Sequence, residues 1–189
     1  MLIAISGSQG SGKTTLINEL KALGYPTVGR KTARSILDEW GISLDAVNAD
    51  FSLKQAFQDE LVRRKYNDEL EASLSSELWF TERTFSDLFT YSLISFGQYN
   101  EYDSWLDEYF EKCKEYCLNY DHVFYIISKF EIEKDGVRSI NKHYSRMIDQ
   151  IMLDITKQMI YDERVSIIDT ADMSARLKII TNIIEDKKQ

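Results

Sequence analysis

The chain has 189 residues and a mass of 22.1 kDa. A domain of this size buries roughly 70% of its extended-chain surface, so it needs neither disulfides nor structural metal to hold a core. Its 31 acidic residues against 23 basic ones give a formal charge of -8, which argues against broad nucleic-acid binding yet leaves room for a local basic cleft that attracts a small phosphorylated ligand.

No apolar run approaches the roughly 20 residues of a membrane span, and Met1-Leu2-Ile3-Ala4-Ile5 lacks the basic flank of a signal peptide, so the expected location is cytoplasmic. Leu2 to Ser6 reads as a short interior strand. It runs into Gly7-Ser8-Gln9-Gly10-Ser11-Gly12-Lys13-Thr14-Thr15 and then into Leu16, Ile17, Leu20 and Leu23 at helical spacing. Gly24-Tyr25-Pro26 stops that helix, Thr27-Val28 forms the end of a second strand, and Arg30 to Trp40 a second helix ended by Gly41. Residues 42 to 50 read as a connector. Asp50-Phe51-Ser52 caps a long amphipathic helix through Leu74, with Phe57, Leu61, Tyr66 and Leu70 facing inward.

Leu78 to Thr81 is a third strand, followed by a helix over Asp87 to Phe96. Gly97 to Tyr102 interrupts, and the next helix carries Trp105 to Cys117. Cys113 and Cys117, four apart and with only two histidines elsewhere, read as core thiols and not as zinc ligands. Val123 to Ile127 is a fourth strand. A charged stretch, 128–146, reads as a mobile lid. A helix from Met147 to Met159, a last strand at Val165 to Ile168 and a helix from Ser174 to Glu185 complete the chain. No repeat or linker divides residues 1–189, and short interior strands between longer helices predict one three-layer α/β/α domain with a parallel sheet of five strands.

The strongest motif is G-x-x-x-x-G-K-T from Gly7 to Thr14. Its glycines let successive N–H groups curl around anionic oxygens, Lys13 reaches the terminal phosphates, the Thr14 hydroxyl completes Mg2+ coordination, and the helix that follows adds its positive end. Nucleoside triphosphate binding follows from this strand, loop and helix, with Gly7 through Thr15 as the phosphate cradle. Acceptor candidates come from the other strand ends. Glu82 there is suited to orienting Mg2+ or accepting a proton, or else to capping the next helix, and Arg83 to clamping a phosphate. Arg30 and Arg34, four apart with Lys31 between them, open a helix and suit an anion. Arg138 and Arg146, flanking His143 in the lid, would bring positive charge to the transferring group. Gln58 could offer its amide to a base edge, and Tyr91 with other aromatics a wall for base or sugar. Asp169 reads equally as a rim for the donor adenine or as the cap of the last helix.

Together these residues resemble the P-loop nucleoside and nucleotide kinase superfamily. The nearest flavours are nicotinamide riboside kinase-like ATPases or kinases, thymidylate kinase and deoxynucleoside kinases. The resemblance rests most firmly on Gly7 to Thr15, then on Glu82-Arg83-Thr84-Phe85-Ser86-Asp87. It implies roles near Mg2+ and phosphate for Glu82 and Arg83, matches Tyr91 to a spaced tyrosine, and matches Asp135-Gly136-Val137-Arg138 with Arg146 to an arginine-bearing lid. Lys31 stands where nicotinamide riboside kinase-like relatives carry a glutamate, which shifts the expected acceptor towards a monophosphate. The expected activity is phosphoryl transfer from ATP with Mg2+ to a nucleoside or nucleoside monophosphate. A kinase acting on a hydroxyl of a modified base in DNA, in a phage context, and an ATPase acting as a regulatory or protein-interaction switch stand as alternatives. DNA is the less favoured partner, no membrane partner is expected, and the oligomeric state stays open, with a homodimer among the outcomes.

Overall fold

The computed structural model describes residues 1–29, 33–128 and 141–187. Four parallel strands, β1 (Leu2–Ser6), β2 (Trp79–Glu82), β3 (His122–Ile126) and β4 (Val165–Ile168), form a sheet in the order β2-β1-β3-β4. Eight α-helices are present among the described residues. They are α1 (Lys13–Ala22), α2 (Ala33–Trp40), α3 (Leu44–Ala49), α4 (Phe51–Leu74), α5 (Phe85–Phe96), α6 (Asp103–Cys117), α7 (Lys142–Met159) and α8 (Met173–Lys187).

The three layers follow from alternation along fully buried strands. Leu2 and Ala4 of β1 face a core shared with α4 to α7, whereas Ile3 and Ile5 face Leu16 and Leu20 of α1 and Ile180 and Ile184 of α8. The sheet is therefore covered on both faces. Cys113 and Cys117 sit inside the first of these cores, and burial pushes both thiols up. Among the described residues no helix is long and apolar enough to cross a membrane.

Four expectations need correction. The sheet has four strands among the described residues, because Thr27 makes only an isolated bridge to Phe80. Pro26 has no N–H to donate, so this edge is held by Val28 N–H to the Phe80 carbonyl (2.8 Å) and Phe80 N–H to the Pro26 carbonyl (2.9 Å). The connector at 42–50 contains α3, whose N-cap Ser43 accepts from Ala46 N–H at 3.1 Å and whose Val47 packs with Ile36 and Phe57. Leu70 is 42% exposed, since α4 turns Val62, Glu69 and Ala72 inward instead. Most of the expected lid, residues 129–140, lies outside the described residues, and α7 begins five residues before Met147, capped by Asn141.

Candidate functional site

The phosphate loop joins β1 to α1 and turns on glycines at positive φ, with Gly7 at 135°, Gly10 at 82° and Gly12 at 87°. Gly7 is also a matter of space, because a Cβ there would lie 2.4 Å from the Ile126 carbonyl oxygen. Lys13 is buried and folds back over the loop, donating to the Ser8 carbonyl at 2.6 Å and to Ser11 Oγ at 3.2 Å. The Ser8 hydroxyl is buried without a hydrogen-bond partner among the described residues. Thr14 and Thr15 are exposed on the first turn of α1.

Parallel pairing sets Ile5 opposite Glu82, which brings the end of β2 alongside the phosphate loop. Thr14 Oγ1 donates to the Glu82 carboxylate, at 3.0 Å from Oε1 and 3.1 Å from Oε2. Glu82 is not the cap of α5; Thr84 is, its Oγ1 accepting from Asp87 N–H at 3.2 Å. Arg83 between them has a left-handed backbone, φ 70°, with its N–H donating to the Ile5 carbonyl at 2.9 Å. A non-glycine residue is uncommon in this region, and its surroundings must hold it there. Its guanidinium lies 5.6 Å from the centre of the Tyr91 ring. Burial works against its charge, but Tyr91, Asp87 and Glu82 together hold the group above its ordinary value.

Beside the loop lies a cavity of about 350 Å³. Gln9 supplies one wall, Glu82, Arg83 and Tyr91 another, and one face of α4 carries Lys54, Gln58, Leu61, Lys65 and Asp68 along a third, with Phe57 adjoining. The 4-3-4-3 spacing of those five places them in a single helical row. One end of the Gln58 amide is buried without a partner among the described residues. Lys54 sits 5.8 Å from the Phe96 ring centre, and burial lowers its pKa. At the cavity floor the Lys65 ammonium donates to Glu69 Oε1 (2.5 Å) and to the Glu82 carbonyl (3.3 Å). Glu69 also accepts from Thr81 Oγ1 (2.5 Å) and Tyr120 OH (3.0 Å).

Of the residues singled out in the sequence, Gln9, Gln58, Glu82, Arg83 and Tyr91 converge on this cavity. Arg34 and Arg146 are exposed on α2 and α7 and do not line it. Asp169 is exposed beyond β4, and the carboxylate that caps α8 is Asp172, accepting from Ser174 N–H at 2.7 Å. Arg30 and Arg138 lie outside the described residues. Sequence reasoning missed Lys65, Glu69 and Asp68, which the helical row continuing from Gln58 would have flagged. It also missed Arg176, buried on α8, which donates to the Ser11 carbonyl (2.6 Å) and the Thr170 carbonyl (2.7 Å) and so braces the phosphate loop against the end of β4.

The sequence profile of the AAA domain family matches residues 2–176. The chain belongs to that family. Comparison with curated proteins returns no match. Among solved structures, deoxyadenosine kinase from M. mycoides with bound dATP superimposes with a TM-score of 0.71 at 20% identity, covering 98% of this chain and 100% of that one. NadR protein in complex with NR gives 0.65 at 15% identity over 90% of this chain and 46% of that one. Thymidylate kinase from Ehrlichia chaffeensis gives 0.60 at 18% identity, covering 97% and 98%. This AAA domain thus has the fold of P-loop nucleoside and nucleotide kinases, as its loop, strand ends and cavity suggest.

Proposed function

We propose that the chain transfers the terminal phosphoryl group of ATP to a nucleoside or nucleoside monophosphate bound in the cavity beside the phosphate loop. One observation carries this reading. Thr14 of the loop is hydrogen-bonded to Glu82, and Glu82 with Arg83 forms a wall of the cavity, so the expected donor and acceptor sites share that wall. A volume of about 350 Å³ suits a nucleoside-sized ligand. Gln58 lines the same cavity from α4, and a side-chain amide there suits the polar edge of a nucleobase. The resemblance to structures of deoxyadenosine kinase and thymidylate kinase supports the same class.

The chemistry can be assigned to residues. The loop amides and Lys13 hold the donor phosphates, Lys13 exchanging its contacts with Ser8 and Ser11 for phosphate oxygens. Thr14 and Glu82 form an oxygen pair suited to Mg2+, which binds through few protein ligands with phosphate and water completing its shell. When bound, the ion neutralises charge on the phosphate oxygens. The acceptor oxygen forms its bond to the γ-phosphorus as the bond to the β–γ bridging oxygen breaks. ADP leaves with that electron pair; a nucleoside hydroxyl passes its proton to Glu82, directly or by relay, whereas an ionised monophosphate oxygen attacks with no proton to lose. Arg83 lies on the acceptor side, fixed over Tyr91, where it can hold an acceptor phosphate or sugar. No covalent intermediate on the protein is needed, because positioning and charge neutralisation suffice.

The test is a panel of nucleosides, nucleoside monophosphates and short DNA with γ-labelled ATP and Mg2+. Label on one class of nucleoside or monophosphate is the expected result, with Glu82→Gln lowering kcat by about 10²-fold or more while ATP binding persists. Label appearing only as inorganic phosphate across the panel refutes the transfer reading in favour of an ATPase.

A further inference from the structure

Asp87 takes no part in the mechanism above, yet it sits where the two halves of the site meet. It is wholly buried on the first turn of α5. Its Oδ1 accepts from Ser6 Oγ at 2.5 Å and from Thr84 Oγ1 at 2.8 Å. Ser6 is the last residue of β1 and immediately precedes Gly7, while Thr84 immediately follows Arg83. A single carboxylate oxygen therefore joins the root of the phosphate loop to the turn that carries the acceptor-side arginine.

Two features set this carboxylate apart from an ordinary helix-start residue. The cap of α5 is already supplied by the Thr84 hydroxyl, so a carboxylate at 87 is not needed to start the helix. The other oxygen, Oδ2, is buried with no hydrogen-bond partner among the described residues, an unfavourable state that a smaller or apolar side chain would avoid. The polar chain continues from Thr84 to Ser86 Oγ at 2.6 Å and on to Thr156 of α7 at 2.9 Å, which locks the turn from its far side. Arg83 needs such support, because its left-handed backbone persists only where the surroundings determine it.

We infer that Asp87 is a positioning residue that sets Arg83 in register with the phosphate loop, acting through Ser6 and Thr84. The Asp87 oxygen fixes both hydroxyls, these fix the backbone just beyond the carboxyl ends of the paired strands β1 and β2, and the guanidinium then stands at a set place relative to the donor phosphates. This role rests on the proposed phosphoryl transfer for its kinetic consequence only; the link to the Arg83 turn is read without it.

Two readouts test it on the full chain. In steady-state kinetics, Asp87→Ala should lower kcat by about 10- to 100-fold, in keeping with the cost of small misplacements. Its Kd for Mg-ATP should stay within about threefold of wild type, because the loop amides and Lys13 are intact. Asp87→Asn, which keeps an acceptor oxygen, should recover most of the loss. In the ¹⁵N spectrum of the ligand-free protein, the Arg83 Nε–Hε resonance should shift in Asp87→Ala and return in Asp87→Asn. If Asp87→Ala does not fold, Ser6→Ala removes one of the two contacts and should show the same split with a smaller fall in kcat. A parallel loss of ATP affinity and kcat, or an Arg83 resonance unmoved in the folded variants, overturns the inference. If wild type transfers phosphate to no acceptor, the proposed function falls and the Arg83 resonance alone decides the role of Asp87.

Discussion

Removing the Glu69 carboxylate should be among the most damaging single changes outside the apolar core. Glu69 and Lys65 form a pair whose side chains are 5% and 13% exposed, and the carboxylate also accepts from Thr81 and Tyr120. In Glu69→Ala three donors lose their acceptor at once. Breaking a buried pair costs about 3–5 kcal/mol, and the Lys65 ammonium keeps its contacts with the Glu82 carbonyl and Thr81 Oγ1, so a total of about 4 kcal/mol is expected. At about 2–4 °C per kcal/mol for a domain of this length, Tm should fall by about 8–16 °C. Tyr120→Phe removes only one hydrogen bond to the carboxylate and should cost about 1.5–3 kcal/mol. The double variant Lys65→Met/Glu69→Leu, which replaces charges by apolar groups of similar size, should be more stable than Glu69→Ala alone. Urea unfolding followed by circular dichroism measures all three. A loss below about 1 kcal/mol in Glu69→Ala, or a double variant that loses as much as both single changes summed, would refute the assignment of this network as a buried, mutually dependent unit.

Gly7→Ala should abolish ATP binding, measured by calorimetry, because the new Cβ meets the Ile126 carbonyl oxygen at 2.4 Å and the loop must move. His122 is buried on β3 with Nε2 2.9 Å from Ser166 Oγ, and burial, aided by the Lys187 charge, lowers its pKa to about 4. Between about pH 6.5 and 4 the unfolded chain binds a proton that the folded chain refuses, so this contribution is present above pH 6.5 and is lost as pH falls towards 4. After allowance for solvent screening it amounts to about 2 kcal/mol. Urea midpoints at pH 7 and pH 4.5 should show a smaller drop for His122→Asn than for wild type, and equal drops would exclude the histidine. Cys113 and Cys117, buried with raised pKa values, should react with a thiol reagent only as fast as the chain opens, so urea should accelerate labelling steeply; prompt labelling of native protein would contradict the packing.

The parts legible in the sequence are those written in consecutive residues. The phosphate loop from Gly7 to Thr15 needs its glycines, lysine and threonine at fixed offsets, and the strand before it and helix after it are equally local. Glu82 and Arg83 were legible because a short apolar run ending in charge marks a strand's carboxyl end. The Glu69 network was not, since its members are separated by 4 to 51 positions and only folding makes them neighbours. Leu70 misled for a related reason: α4 meets different neighbours along its length, so a single apolar stripe does not describe its buried side. Among the described residues the expected strand at Thr27-Val28 is reduced to a bridge, because Pro26 donates nothing and only two hydrogen bonds stand where a strand needs a ladder. Asp87 closes the Glu82 to Asp87 stretch that carries the resemblance, but nothing near it in the sequence points to Ser6.

The grip of Arg176 on Ser11 has a consequence for the order of events during synthesis. The anion cradle is encoded near the start of the chain, but one of its braces is delivered 165 positions later by α8. A nascent polypeptide that has not yet released this helix carries the full loop motif without that support. Its affinity for triphosphate should therefore rise only as the helix docks, so that cofactor capture reports on assembly of the final layer and not on translation of the motif.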